Sequence, residues 1–229
     1  MVHFNWTQLI PGVGHEYVHV ATAGVASTVL IALALRARLA LGSGENSSTP
    51  TDRLSVRAVF ESITEMFANL ADTVIGHDGK KYVPMFSSIF LFVIVNNLIG
   101  LVPGMTAATD NPNTTFALGL FTFIAYNFFG FKESGLAYLK HFAGPIVFLA
   151  PLMFVLEMIS HLVRPMSLGL RLMGNIQGDH AVLGAFLDLA PIGVPVLFYF
   201  MGLFVAFMQA FIFTLLSMVY VSMAVEHDH

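Results

Sequence analysis

Residues 157–180, EMISHLVRPMSLGLRLMGNIQGDH, set two arginines, Arg164 and Arg171, well inside a stretch apolar enough for a membrane. A charged side chain near a bilayer centre costs at least about 2.5–3.5 kcal/mol on insertion scales, so such residues normally face a bundle interior or watery cavity and mark an ion path. Glu157, Arg164, Arg171 and Gly178 recur every seven residues. Seven steps of about 100° fall about 20° short of two turns, so the four share one helix face. Ser160, Ser167, Gly174 and Asn175 lie on or beside that face, and residues this small let another helix approach closely. The stripe is therefore suited to holding or passing an ion against a partner helix. The competing reading is an arginine pair that snorkels to headgroups or locks a helix contact. It is stronger for Arg164, which precedes Pro165, where a helix tends to bend and free backbone carbonyls.

The composition demands a membrane. Of 229 residues, 56% are hydrophobic and only 10% charged, with 22 Phe, far outside the soluble globular range. A net charge of −4, spread along the chain, gives no reason to expect nucleic acid. The lack of Cys excludes disulfides and thiolate metal sites. Of nine His, His3, His15 and His19 precede the first span and His227 and His229 lie in the tail. No HExxH or paired intramembrane His spacing occurs, so neither a metal nor a cofactor is expected. His141 and His161 are expected to be packed or interfacial.

The expected fold is an all-α integral membrane protein in one domain. It has five crossing helices and one amphipathic interfacial helix, and the last two helices are long, tilted and antiparallel. Residues 1–19 carry no Lys or Arg and form an external lead; 20–41 make the first span, ending in Arg36 and Arg38. A polar linker, 42–53, leads to 54–75, whose apolar residues (Leu54, Val59, Ile63, Phe67, Leu70, Val74) oppose Arg57, Glu61, Glu65 and Asp72, an amphipathic helix lying along the cytoplasmic interface or against other subunits rather than crossing. Lys80 and Lys81 introduce a span at 83–104, with Asn96 and Asn97 in its outer half. Asn97 is read as helix–helix glue or channel lining. A loop with Asp110 as its one acid precedes the span 116–131, which returns to Lys132 and Lys140. Long helices at 145–187 and 196–224 follow. At about 1.5 Å per residue the first is near 60 Å, twice the hydrocarbon thickness, so it must tilt, bend at Pro165, or both. Ten Lys and Arg less the two central arginines leave eight. All eight fall on one side, the cytoplasmic one by the positive-inside rule, with the N-terminus external.

RPMSLGLRLMGN at 164–175, followed by QAFIFTLLSMVYVSMA at 209–224, closely resembles subunit a of the F-type ATP synthases, and the layout fits nearly the whole chain. The resemblance implies a stator in the cell (inner) membrane. It is no enzyme by itself but the ion-translocating part of an ATP-synthesising complex, without a cofactor. Its implied partners are the c-subunit ring, the subunit b peripheral stalk, other synthase subunits and the bilayer. The translocated ion is a proton, with Na⁺ left open. Arg171 is then the essential cation, pairing transiently with a ring carboxylate and blocking a direct leak between two access paths. An opposite charge close by can depress a carboxylate pKa by about 1–3 pH units, enough to favour release. Two positions depart from the family pattern. Relatives often carry an acid where this chain has Gly100, and some carry a titratable group where it has Gly202.

The two paths should approach Arg171 from opposite sides. Glu157 lies about 21 Å along the helix axis toward the cytoplasm, a candidate for the inner path, and Asp179 and His180 about 12–14 Å toward the exterior. With Asp188 these are candidates for the outer path, and histidine suits a relay because it titrates near neutrality. A hairpin turning at Ala190-Pro191 would set Arg171 opposite Gln209, each 19 residues from position 190, and Asn175 opposite Val205. Gln209 could then hold the guanidinium through its carbonyl. A secondary transporter using Arg171 for an anionic substrate, or a structural scaffold, are the alternatives. The former predicts uptake by the isolated chain, the latter indifference to neutralising Arg171.

Overall fold

The computed structural model describes residues 6–9, 14–41, 55–135, 138, 150–189 and 193–225. Six α-helices make up nearly all of this: α1 Val18–Leu41, α2 Val56–Val74, α3 Val83–Gly100, α4 Pro112–Ser134, α5 Ala150–Leu189 and α6 Val194–Val225. All but α2 contain a stretch long and apolar enough to cross a bilayer. The linker at 42–53, the helix start at Gly144-Pro145, His141, the turn at Ala190-Pro191 and the tail 226–229 lie outside the described residues.

Helix boundaries follow local chemistry. α2 begins where Ser55 accepts the Ala58 amide on its side chain, and it buries Phe67 and Ala71 while Arg57 pairs with Glu61 a turn away. This helix packs on α1 and α3, and its last turn receives the Ser222 hydroxyl from α6 at 2.8 Å on the Val74 carbonyl. It is amphipathic as expected; Phe67 and Ala71 of its apolar side are buried by this chain, while Val56 and Val59 stay exposed. α3 ends at Gly100, four residues before the expected limit, in a turn that needs the positive φ of Gly104. α4 starts earlier than expected because Asn111 caps it, accepting the Asn113 amide at 2.9 Å, with Pro112 at its first position. α5 runs unbroken through Pro165. Hydroxyls inside the spans bond back to the carbonyl one turn earlier, as in Ser27, Ser88, Thr214 and Ser217, leaving few polar atoms to face lipid.

The core gathers Phe67, Phe86, Phe90, Tyr126, Leu168, Leu172, Phe213 and Met218 between α3, α4, α5 and α6. α4 and α5 approach closely: a methyl on Gly119 would stand 2.5 Å from the Pro165 carbonyl oxygen, so only glycine fits there. α5 and α6 form an antiparallel hairpin, since Asn175 meets Gln209 while Phe186 stacks on Phe198, ring centres 4.4 Å apart. Both pairs lie four residues further along α6 than the expected register, and Asp179 beside Gly202 lies one further. One end of the bundle holds Lys81, bonded to Glu133 at 2.7 Å, and the other the Gly104 turn, Asp110 and His180. The basic residues described on helices 1 to 4 thus lie away from the Asp110 end.

Candidate ion-path site

Arg171 is exposed on α5 and, among the described residues, makes no hydrogen bond or ion pair. Around it the hairpin surface is apolar, with Leu162, Met166, Leu170, Phe204 and Phe207 all exposed. A methyl added to Gly174 or Gly178 would meet no atom within 4 Å, so the backbone beside Arg171 stands open to an approaching helix. Ser160 is likewise exposed on α5. A free guanidinium on an apolar, glycine-flanked face can attract one anionic group that arrives from outside the chain.

Arg164 behaves differently. Its guanidinium donates to Glu157 at 3.0 Å and stacks over the Tyr220 ring at 5.8 Å, with its side chain only 16% exposed. The seven-residue spacing thus brings Arg164 and Glu157 together and leaves Arg171 apart. Ser167 is turned back, donating to the Arg164 carbonyl at 3.3 Å.

Asn175 and Gln209 tie the hairpin one turn from Arg171 toward the Asp110 end. The Asn175 amide donates to Gln209 Oε1 at 2.6 Å. Gln209 therefore does not clamp Arg171, because the helix pair is shifted by about a turn from the expected register and its carbonyl meets Asn175 instead. Beyond this tie an open groove of about 460 Å³ runs between the helices, lined by Gly174, Asn175, Gly178, Asp179, Met208 and Gln209 among others. Asp179 points at α6. A methyl on Gly202 would stand 2.7 Å from its Oδ2, so the glycine makes the space the carboxylate occupies. His180, the next residue, points to the other side, toward Gly100 and Asp110, its Nδ1 3.8 Å from Asp110 Oδ2. Asp188 lies in the last turn of α5, its side chain outside those described.

Asn97 is buried and doubly used, donating to the Ala206 carbonyl at 3.3 Å and accepting from Thr109 at 2.6 Å. It joins α3, α6 and the turn at Ala108–Asp110.

Sequence reasoning missed a buried node on the Glu157 side. His161, 5% exposed, lies between Tyr126 and Asn127 of α4, at 3.4 Å from the Tyr126 hydroxyl and 3.0 Å from the Asn127 carbonyl oxygen, which also accepts from Tyr138 at 3.1 Å. The carbonyl oxygen requires an Nε2–H donor, so Nδ1 accepts from Tyr126. No spacing in the sequence connects residues so far apart. Among the described residues no group of acids and histidines could hold a metal.

Comparison with known proteins settles the family. The model for "ATP synthase A chain" matches residues 4–222. The chain belongs to that family. It is 60% identical to ATP synthase subunit a of Bdellovibrio bacteriovorus over 99% of both chains. It is 41% identical to the subunit a of Geobacter sulfurreducens over 93% of each. Against that of Nitratidesulfovibrio vulgaris the figure is 42%, over 97% of this chain and 92% of the relative. The two glycines singled out in the sequence adjoin polar side chains: Gly100 faces His180 and Gly202 faces Asp179.

Proposed function

We propose that the chain is subunit a of a rotary ATP synthase, the static half of a proton-driven motor in the cell membrane, working against a ring of c subunits. Arg171 carries the reading: an unpaired guanidinium on an exposed apolar face, with open glycine backbone beside it. Holding such a charge there is costly unless a counter-charge visits it. A ring carboxylate that loses its proton is drawn to Arg171, and the same positive charge repels protons that would pass straight between the two paths. Its freedom from Gln209 and Glu157 leaves the attraction undivided.

The outer path comprises the groove with Asp179, together with His180 and Asp188. The inner path starts at Glu157. Along the continuous α5, Glu157 stands about 21 Å from Arg171 on one side, and Asp179 and His180 about 12–14 Å and Asp188 about 25 Å on the other. A proton entering from outside boards the ring carboxylate, travels with the ring through the lipid, and leaves near Glu157 as the carboxylate approaches Arg171. The positive-inside rule puts the Lys81 end in the cytoplasm and the Asp110 end outside. Subunit b and the remaining synthase subunits hold this stator against the ring.

Mild detergent purification through a tag on this chain tests the proposal. A ring of small, hydrophobic two-helix subunits should copurify, and a photo-cross-linker at Leu170 should join one of them. Purification of an intact, folded chain with no such ring from membranes active in ATP synthesis contradicts it.

A further inference from the structure

We infer that Asp110, outside the long helices, is the proton-receiving group at the mouth of the outer path and hands protons to His180. The inference rests on the two-path reading above and adds a residue to it. Asp110 ends a short turn, Ala108–Asp110, between α3 and α4. The turn is anchored: Ala107, Ala108 and Thr109 are buried, Thr109 donates to Asn97, and the Asp110 carbonyl accepts from Gln177 of α5 at 2.9 Å. The carboxylate is thereby held against α5, one turn outward of Gln177, where His180 stands.

Three observations make this more than a surface acid near a histidine. Oδ2 lies 3.8 Å from His180 Nδ1, both side chains about a quarter exposed. That gap exceeds a direct bond by about 1 Å, and a small turn of the ring closes it. Oδ1 is enclosed and has no hydrogen-bond partner, so the carboxylate's bonding capacity is unspent. A carboxylate so placed normally finds a donor, and a proton or hydronium supplies one. Finally, His180 occupies a slot that Gly100 keeps clear, a methyl there falling 3.2 Å from its Cε1 and 2.6 Å from Ala107. The charged group facing the imidazole is Asp110 from the turn; Asp179, next to it in the chain, is turned toward Gly202 of α6, and α3 contributes Gly100.

In the step itself, an external hydronium gives its proton to an Asp110 oxygen and leaves as water. The proton passes to the His180 ring, restoring the carboxylate. The imidazole then releases it inward along α5. Asp110 thus touches the translocated proton and also raises its local concentration by charge.

The test uses the complete complex in proteoliposomes, with ATP synthesis driven by a fixed potassium diffusion potential. The pH of the compartment facing Asp110 is varied while the opposite side is held constant. Asp110→Asn should raise the half-saturating proton concentration roughly fivefold, the effect of removing one charge about 4 Å away at water-like screening. Its maximal rate should fall as well, because the amide cannot take up and return a proton, and Asp110→Glu should restore both. A role confined to anchoring the turn predicts a lower maximal rate at unchanged half-saturation, and that result, or no change at all, overturns the inference. Arg171→Ala in the same preparation separates the two levels. If it synthesises ATP normally, the two-path stator reading fails; if it is inactive while Asp110→Asn is unaltered, only the role of Asp110 does.

Discussion

Asn175 donates its side-chain amide to Gln209 Oε1 at 2.6 Å across the long hairpin, so these two motif residues hold each other and leave Arg171 unbound. Gln209 Nε2 stays enclosed without a partner, 2% of the residue being exposed. The pair fixes how α5 lies on α6 one turn from the guanidinium. A cation that must meet a moving carboxylate is better positioned through its helix than through its own hydrogen bonds, which would compete with the visitor.

Removing the tie should therefore loosen the placement of Arg171 without abolishing it. Gln209→Leu strands the Asn175 amide, and interhelical side-chain bonds in membranes average about 0.6 kcal/mol, with a maximum near 1.7. ATP-driven pumping should fall several-fold while the complex still assembles. In Asn175→Leu with Gln209→Leu the loss should be smaller than the combined single losses, as expected for residues in direct contact. Unchanged pumping in Gln209→Leu would show that the tie has no functional weight.

Register can be read directly, because the chain has no Cys. Phe186→Cys with Phe198→Cys, replacing rings 4.4 Å apart, should be joined in high yield by a short thiol cross-linker. Asn175→Cys with Val205→Cys, partners in the register expected from the turn position, should link less well. The opposite ranking would place the hairpin a turn away from the structure described above.

The sequence made the architecture legible because bilayer thickness and the cost of buried charge are strong, local constraints. The pair of intramembrane arginines, the overlong last two helices and the amphipathic stretch could all be read from residue types and spacing, while the family resemblance singled out Arg171. Register could not. Counting back from Ala190-Pro191 ignores how many residues the turn itself uses, and one turn of error was enough to hand Gln209 to Asn175 instead of Arg171. Spacing also could not tell Arg164 from Arg171. Both share a face, but Arg164 reaches back to Glu157 and across to Tyr220. The His161 node and the Asp110–His180 approach unite separate helices and a turn, contacts that leave no periodic trace.

The His161 node should act on stability more than on turnover. His161→Leu removes one partner of the Tyr126 hydroxyl and one donor to Asn127, and weakening a buried hydrogen-bonded group costs about 1–3 kcal/mol. The complex in detergent should lose subunits at lower temperature, with pumping at moderate temperature close to that of the parent. A pumping defect in His161→Leu without any loss of thermal stability would instead put His161 on the ion path.

Arg164 and Glu157 should separate in the same way. Arg164 is engaged within the chain, so Arg164→Gln should reduce pumping only a few-fold. Glu157→Gln should slow proton exchange with the cytoplasm and leave exchange with the exterior unchanged, read by impermeant thiol or silver access at cysteines placed on either side. If Arg164→Gln abolished pumping in an assembled complex, Arg164 and not Arg171 would be the cation that meets the ring.

The most direct measurement is ATP-driven proton pumping by membrane vesicles carrying Arg171→Ala, with assembly verified by copurification of the ring. The account predicts an assembled complex that pumps no protons, because both the counter-charge and the barrier between the paths are gone. It predicts nearly as complete a loss for Arg171→Lys, whose ammonium lacks the planar, delocalised donor array of the guanidinium. Normal coupled pumping by Arg171→Ala would contradict it.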